Sequence, residues 1–302
     1  MNFQRYFDQA RESGLKRFVV AGAAGDEVLR AVSRARKMRL MDPILIGPEA
    51  AVRKAARRLE IPLQGVDIVD LAEDAEMADR AAQLVARGGA DAIMKGNIST
   101  PIVMKALLDP RYGLRTGRLF SHIACMDVPR FPKLFIITDS GMVIRPTLEQ
   151  KKEILQNAVG FSRAIGVRKP KIAVLAANEK ISPHMPETMD AVELVKLSEQ
   201  GFFGDVILEG PFALDMAFSK ESARIKGVRS RVAGDPDILL VPDIASGNIF
   251  AKGLVYLAGA KISGLVVGAR IPIVLISRAE KAETWLRSIA LANIASRRTE
   301  TR

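Results

Sequence analysis

The chain has 302 residues, a formal net charge of +11 at pH 7 and one cysteine, Cys125. This length can bury a large core and predicts one large or two medium domains, while a single cysteine excludes an internal disulfide framework and a cysteine-based metal site. Aromatic residues make up 5% of the chain, which argues against the stacking surface that binds single-stranded nucleic acid.

The positive charge is spread along the chain and belongs to no recognised DNA- or RNA-binding motif. It fits a solvated surface, and it also fits electrostatic steering of a small polyanion. Residues 1–14 are charged and amphipathic, and the longest apolar region, 262–276, is interrupted by glycine, arginine and proline. The sequence therefore predicts a cytoplasmic protein that binds neither nucleic acid nor a membrane.

Strand-like and helical patterns alternate in the first third of the chain. The predicted strands are 18–21, 43–47, 66–69 and 92–94, and the predicted helices are 26–38, 48–59 and 74–87. This repeated βα rhythm predicts a mainly parallel sheet with helices on both faces.

The segment KGNISTP, residues 95–101, follows the fourth strand and precedes a helix beginning near Pro101. Ser99, Thr100 and the free amides of a helix N-terminus can bind an anion, although the same residues also fit ordinary capping. The segment lacks the G-x-x-x-x-G-K-[ST] pattern of a nucleotide-binding P-loop.

The middle of the chain continues the alternation. It contains predicted strands at 134–138, 171–177 and 206–210 and a long predicted helix at 148–165. Thr147 is the expected N-cap of that helix, with Glu149 in its first turn. The first of these strands ends on Asp139-Ser140-Gly141.

The last quarter contains two strand ends with polar groups. A strand at 238–241 leads through a turn and a small-residue loop, 245–248, into a helix that carries Lys252. An apolar strand at 271–276 ends on Ser277-Arg278, and a final helix is predicted at 279–295. Such strand ends next to helix starts predict an anion site in an open α/β sheet, although Ser277 also fits a simple cap and Lys252 a solvated side chain.

Six segments, in this order, resemble the phosphate acetyltransferase/phosphate butyryltransferase family. They are 95–97 (KGN), 117–129 (GRLFSHIACMDVP), 138–151 (TDSGMVIRPTLEQK), 209–217 (EGPFALDMA), 242–252 (PDIASGNIFAK) and 277–283 (SRAEKAE). Each segment is short, but six in the right order make the resemblance specific over nearly the whole chain. The KGN, GRLFSH and DSGMVIRPTLEQK versions are more similar to the butyryl branch than to the acetyl branch.

The resemblance implies an α/β fold of two domains with mainly parallel sheets and helices on both faces, as in isocitrate and isopropylmalate dehydrogenases. The active-site cleft would lie between the domains. Domain I would be discontinuous, covering 1–135 and 268–302, with domain II inserted at 136–267. An inserted domain explains why no linker is visible in the sequence.

The resemblance also implies reversible transfer of a short acyl group, preferentially butyryl, between coenzyme A and inorganic phosphate to give an acyl phosphate. Coenzyme A is then a substrate, and neither a tightly bound cofactor nor a metal is expected. A homodimer or higher homo-oligomer is expected. Acetyl is the alternative acyl group.

Two other classes of protein stay open. One is an NAD(P)-dependent dehydrogenase of the same fold, which would need clustered metal-binding aspartates. Asp235 and Asp237 are close together, but the expected D-x-x-x-D pattern is missing. The other is a coenzyme A-binding protein without catalysis.

The resemblance assigns catalytic roles to the end of the chain. Arg278 would hold the acyl phosphate and stabilise the developing oxyanion, because its planar fork binds phosphate oxygens in pairs. Ser277 would contact the thiol end of coenzyme A. The acetyl branch has an aspartate about seven residues after this serine, where this chain has Thr284. Glu283 is the candidate acceptor of the thiol proton, although Glu280 and Glu283 equally fit favourable charges at a helix N-terminus.

The remaining implied residues bind substrate. They are Lys95, Gly96, Asn97, Ser99, Thr100, Lys105, Arg118, Ser121, Asp243, Gly247, Asn248 and Lys252. Lys105 stands where the acetyl branch tends to carry an arginine, so its phosphate contact is open. His122 fits a satisfied histidine better than a catalyst, and Cys125, among apolar residues, is not expected to form an acyl-enzyme.

Overall fold

A computed structural model of the chain describes residues 2–277 and 279–296. The chain divides into two compact units. The first unit contains Met1–Arg118 and Ser263–Arg302, and the second contains Leu119–Ile262. The first unit is therefore discontinuous and the second is inserted into it.

Within the described residues, strands and helices alternate along most of the chain. The strands are β1 (Arg17–Ala21), β2 (Asp42–Gly47), β3 (Asp67–Asp70), β4 (Ala92–Lys95), β5 (Ser121–Asp127), β6 (Phe135–Thr138), β7 (Lys171–Leu175), β8 (Ile207–Phe212), β9 (Ile238–Leu240), β10 (Lys261–Val267) and β11 (Ile273–Val274). The helices are α1 (Asn2–Glu12), α2 (Asp26–Lys37), α3 (Glu49–Arg58), α4 (Asp74–Ala86), α5 (Thr100–Leu108), α6 (Leu148–Ala164), α7 (Pro186–Glu199), α8 (Leu214–Phe218), α9 (Lys220–Ile225), α10 (Ile244–Ala258) and α11 (Ala282–Ala295). The elements predicted for the first third of the chain are all present, and their ends differ by at most one residue.

The strands of the first unit run in the order β3-β2-β1-β4-β11-β10. All neighbours are parallel except β10, which is antiparallel to β11. β4 is buried along its whole length and β1 is buried after its first residue, which explains their continuous apolar runs. The carboxyl ends of β1, β4 and β11 therefore meet at one edge of this sheet.

The strands of the second unit run in the order β5-β6-β9-β7-β8. β5 is antiparallel to β6, and the other neighbours are parallel. The observed unit boundaries, 118/119 and 262/263, differ from the predicted 135/136 and 267/268. The first boundary falls earlier because β5, which the sequence analysis did not predict, pairs with β6 inside the second unit.

Helix caps explain where several helices begin. Thr147 caps α6 as predicted, and Thr147 and Gln150 form a reciprocal capping box. Asp243 and Ser246 form a second such box at α10.

In the part of the chain that the structure describes, no helix combines the length and apolar character needed to cross a membrane.

Three element bounds predicted in the last quarter of the chain were wrong. Residues 245–248 are the first turn of α10 rather than a loop, because the capping box at Asp243 starts the helix before them. The strand predicted at 271–276 is limited to β11, where only Ile273 and Val274 pair with β4. The final helix begins at Ala282, three residues later than predicted.

Candidate active site

Two backbone hydrogen bonds join the turn after β4 to the end of β1. The amide of Gly96 donates to the carbonyl of Ala21 at 2.7 Å, and the amide of Asn97 donates to the carbonyl of Gly22 at 2.7 Å. A Cβ on Gly96 would lie 2.3 Å from the Gly22 carbonyl oxygen. Only glycine fits at position 96, and the two strand ends hold the turn in one conformation.

The side chain of Lys95 supports the backbone of this turn through hydrogen bonds. Its side chain is 2% exposed, and Nζ donates to the carbonyls of Gly96 at 3.3 Å and Ile98 at 3.2 Å. A buried polar side chain needs such hydrogen-bond partners, because losing its contact with water is otherwise costly. Lys95 therefore fixes the backbone of the turn.

Helix α5 begins directly after this turn. Ser99 is its N-cap and Pro101 lies in its first turn, and Ser99 makes no side-chain cap hydrogen bond. The uncapped first-turn amides and the helix dipole suit an anion. The anion contact of Ser99 and Thr100 stays a prediction. Lys105 lies in the last turn of α5. The hydrogen bonds from Arg111 lower the pKa of the Asp109 carboxyl, and the charge of Lys105 adds a smaller lowering effect. The structure does not bring Lys105 to the N-terminal end of α5.

Ser277 follows β11 at the same sheet edge as this turn. β11 is parallel to β4, with Val274 opposite Met94, so Ser277 and Asn97 each follow the carboxyl end of neighbouring strands. Ser277 is exposed, and its Oγ accepts the amide of Ala279 at 3.4 Å. Its predicted partner, Arg278, lies outside the described residues.

The N-terminus of α11 is in contact with a carboxylate from another helix. Lys281 is its N-cap and makes no side-chain cap hydrogen bond. Oε2 of Glu27, on α2, accepts the amide of Ala282 at 2.7 Å. A carboxylate of the protein thus already neutralises this helix end, so Ser277 is not its cap.

The two candidate carboxylates near Ser277 have partners. Glu283 forms an ion pair with Arg34 of α2, and the hydrogen bond from Arg34 lowers the pKa of the Glu283 carboxyl. Oε2 of Glu280 accepts the hydroxyl of the buried Thr284 at 3.0 Å. Glu283 is therefore ionised at neutral pH and held towards α2.

In the second unit, the end of β6 forms a tight turn. The buried carboxylate of Asp139 accepts the amides of Gly141 and Met142 at 2.8 Å each and the amide of His122 at 3.0 Å. These three backbone hydrogen bonds satisfy Asp139, so its role is to shape the turn that presents Ser140.

His122 lies against this turn. Its Nδ1 is 3.0 Å from Ser140 Oγ, and a Cβ on Gly141 would lie 2.8 Å from its ring. Burial lowers the pKa of His122, and the charge of Asp139 opposes that shift. The imidazole is therefore neutral at neutral pH, in agreement with the expectation of a satisfied histidine.

Helix α10 begins after the carboxyl end of β9, next to the turn that follows β6. Asp243 accepts the amide of Ser246 at 2.8 Å, and this bond lowers the pKa of Asp243. A Cβ on Gly247 would lie 3.0 Å from the Ser140 Cβ, so glycine allows the close contact. Asn248 Nδ2 donates to the Ser140 carbonyl at 3.3 Å, and Lys252 is exposed one turn later. The structure thus groups His122, Ser140, Gly247 and Asn248.

Arg118 and Ser121, both in the GRLFSH segment, differ in exposure. Arg118 is exposed, and its amide donates to Thr116 Oγ1 at 3.3 Å. Ser121 is fully buried and its Oγ accepts Asn157 Nδ2 at 3.0 Å. Side chains alternate along β5, so Ser121 faces α6 while His122 faces the turn. Ser121 anchors the segment rather than presenting its hydroxyl to a ligand.

The aspartates that a metal-dependent dehydrogenase would require are engaged elsewhere. Lys133 Nζ lies 2.8 Å from Asp235 and 2.6 Å from Asp237, and Lys171 Nζ lies 2.6 Å from Asp235. Lys171 begins β7, at the end opposite to the polar turns. Over 2–277 and 279–296, no group of three or more His, Cys, Asp or Glu is placed to hold a metal ion.

Both units are thus open, mainly parallel α/β sheets with polar turns and helix starts after the carboxyl ends of strands. In this class of protein, that edge binds ligands. The chain belongs to the phosphate acetyl/butaryl transferase family, whose model matches residues 2–84 and 78–293.

Individual relatives cover nearly the whole chain. It is 41% identical to the phosphate acetyltransferase of Thermotoga maritima over 97% of this chain and 99% of that one. It is 37% identical to the phosphate butyryltransferase of Clostridium acetobutylicum over 98% of each. The crystal structure of a branched-chain phosphotransacylase from Enterococcus faecalis superposes with a TM-score of 0.81, at 30% identity over 93% of this chain and 99% of that one.

Proposed function

We propose that this protein is an acyltransferase that moves a short acyl group reversibly between coenzyme A and inorganic phosphate, giving an acyl phosphate. Family membership over residues 2–293 carries the proposal. The anion-suited N-terminus of α5 and the position of Ser277 at the same sheet edge support it. The named activities of the relatives, acetyl and butyryl transfer, agree with it.

The proposed reaction is direct attack of the coenzyme A thiolate on the carbonyl carbon of the acyl phosphate. A carbon–sulfur bond forms as the carbon–oxygen bond to phosphate breaks, and negative charge grows on the carbonyl oxygen and on the leaving phosphate. Arg278 stabilises both charges in this proposal, and Ser277 contacts the thiol end of coenzyme A. Fixed donors of this kind lower the barrier because they need no reorganisation during reaction.

The substrate contacts belong to the proposal as well. The turn of Gly96 and Asn97 with the N-terminus of α5 would receive phosphate, and Asn248 and Lys252 would contact the anionic substrate. The interdomain location of the site stays a prediction. We further propose that coenzyme A is a substrate without a tightly bound cofactor, and that the protein is cytoplasmic and homo-oligomeric.

The dehydrogenase alternative is not favoured, because Asp235 and Asp237 are paired with lysines.

The proposal is tested by measuring thiol release from butyryl-CoA with and without phosphate. We expect release to depend strictly on phosphate or arsenate and to be unaffected by NAD or NADP. Release without phosphate would instead show a thioesterase, and nicotinamide reduction would restore the dehydrogenase alternative.

The acyl chain that the enzyme prefers is a separate prediction. The KGN, GRLFSH and MVIRPTLEQK segments and Thr284 point to the butyryl branch, so we expect a higher kcat/KM for C4 than for C2 acyl-CoA. An added methylene in an apolar pocket contributes only about 1–3 kcal/mol, so the preference should be graded. Competition between acetyl-CoA and butyryl-CoA in one vessel gives the ratio. A clear preference for acetyl-CoA would overturn the branch assignment and leave the reaction class intact.

The proposed proton acceptor, Glu283, predicts a pH effect. Arg34 lowers the pKa of Glu283, so Arg34→Gln should raise that pKa. A base must be ionised, and activity in the variant should therefore fall at a higher pH than in the wild type as the pH is lowered. The acid limb of the kcat/KM profile measures this shift. Near-normal kcat in Glu283→Gln would show that the carboxylate only pairs with Arg34.

A further inference from the structure

We propose that Glu27 is a positioning residue for the proposed reaction, because its carboxylate fixes the segment that carries Ser277 relative to the turn after β4. Glu27 lies in the first turn of α2, and its Oε2 accepts the amide of Ala282, at the start of α11, at 2.7 Å. The inference rests on the proposed function, since only that function gives Ser277 a part in the reaction.

Ser277 and its neighbours make local hydrogen bonds. Ser277 Oγ accepts the amide of Ala279 at 3.4 Å, and the Ser277 carbonyl accepts the amide of Glu280 at 3.1 Å. These bonds join residues at most three positions apart, so they do not hold the segment against the rest of the first unit. The bond between Ala282 and Glu27, which are 255 positions apart in the chain, does so.

The loop between β1 and α2 is itself fixed to the turn after β4. The amide of Asn97 donates to the carbonyl of Gly22 at 2.7 Å, and a Cβ on Gly22 would lie 3.0 Å from the carbonyl carbon of Asn97. A Cβ on Gly25, the N-cap of α2, would lie 3.5 Å from the Cβ of Asn97. Glu27 follows two residues later, so the start of α2 is joined both to this turn and to the segment of Ser277.

A second residue of α2 contacts the first turn of α11. Arg34 follows Glu27 by seven residues, about two helical turns, and forms an ion pair with Glu283. Both side chains of this pair are about half exposed, and exposed ion pairs contribute little to a fixed geometry. The bond from Glu27 acts on the backbone of α11, so we assign the positioning role to Glu27 rather than to Arg34.

A small displacement of Ser277 should reduce the rate strongly. A misplacement of about 1 Å can cost about 10²-fold in rate, because the reacting atoms must lie about 3–3.5 Å apart. The turn after β4 keeps its own hydrogen bonds to the end of β1 when Glu27 is removed. Loss of the Glu27 bond should therefore lower kcat and leave the KM for phosphate nearly unchanged.

Glu27→Ala and a matched control, Asp70→Ala, test the proposal in phosphate-dependent thiol release from butyryl-CoA. Asp70 Oδ1 accepts the amide of Glu49, at the start of α3, at 2.8 Å, which is the same kind of bond beside the edge strand β3. We expect a similar fall in melting temperature in both variants. Only Glu27→Ala should lose kcat, by about 10–100-fold. Glu27→Gln should recover most of this loss, because its side-chain oxygen can still accept the amide.

A second set of variants separates positioning from helix capping. Lys281 is the N-cap of α11 and makes no side-chain cap hydrogen bond, so Lys281→Ser supplies a local cap. In the Lys281→Ser background, Glu27→Ala should lower the melting temperature less, but it should lower kcat by the same factor as in the wild-type background. If Glu27→Ala alone fails to fold, this background provides the comparison.

Three results would overturn the positioning role. If kcat in Glu27→Ala stays near that of Asp70→Ala, or if Lys281→Ser abolishes the loss of kcat, Glu27 only caps α11. An equal loss in Glu27→Gln and Glu27→Ala would show that the charge matters rather than the hydrogen bond. A wild-type protein without phosphate-dependent release would contradict the proposed function itself, and with it this role of Glu27.

Discussion

Arg278→Ala is expected to lower kcat by about 10²–10³-fold, the loss seen when a donor to a developing oxyanion is removed. In the proposed reaction the guanidinium meets charge on both the carbonyl oxygen and the leaving phosphate. Arg278→Lys should remain poor, because an ammonium does not reproduce the planar, bidentate fork. Initial rates of thiol release with saturating phosphate measure both variants.

The matched control for this arginine is Arg87→Ala. Arg87 is exposed and precedes β4, so it lies at the end of the sheet opposite to the polar turns. Its removal should leave kcat unchanged. If Arg278→Ala kept turnover near that of the control, Arg278 would have no part in the chemistry.

Gly96→Ala is expected to reduce both stability and activity. The new Cβ would lie 2.3 Å from the Gly22 carbonyl oxygen and 3.0 Å from that of Ala21, and both are backbone atoms that cannot rotate away. Such overpacking typically costs about 1–3 kcal/mol or more. The turn would have to move away from β1, which displaces Asn97 and the start of α5. Thermal unfolding and kcat/KM together report both effects.

Gly160→Ala is the control for this change. Gly160 lies within α6, and a Cβ there would meet nothing within 4 Å. Alanine in a helix should stabilise by about 0.5–1 kcal/mol relative to glycine, so this variant should melt slightly higher with normal activity. Unchanged melting and activity in Gly96→Ala would show that the turn tolerates displacement.

Sequence patterns predicted the elements that depend on local chemistry. β1 and β4 are continuous apolar runs because they are buried. α6 begins directly after its N-cap Thr147, whose capping box involves Gln150, only three positions further on. The family resemblance implied that the turn of Gly96 and the segment of Ser277 share one site, which stays a prediction. The parallel pairing of β4 with β11 now places both at one sheet edge.

Features that depend on distant partners could not be predicted. The carboxylate that meets the N-terminus of α11 comes from Glu27, 255 residues earlier in the chain. The burial of the Ser121 side chain could not be predicted, because β5 was not recognised as a strand. The alternation of side chains between the two faces of a strand was therefore not applied to this segment. Residues 245–248 suit a loop and a helix equally well, and the capping box of Asp243 decides between them.

The proposed reaction is tested most directly by its stoichiometry. Butyryl-CoA and phosphate are incubated with the enzyme, and free thiol and acyl phosphate, trapped as the hydroxamate, are measured at the same times. Acyl transfer to phosphate predicts equal amounts of the two products, and added coenzyme A should regenerate butyryl-CoA. Free thiol accompanied by butyrate, without acyl phosphate, would contradict the proposed function.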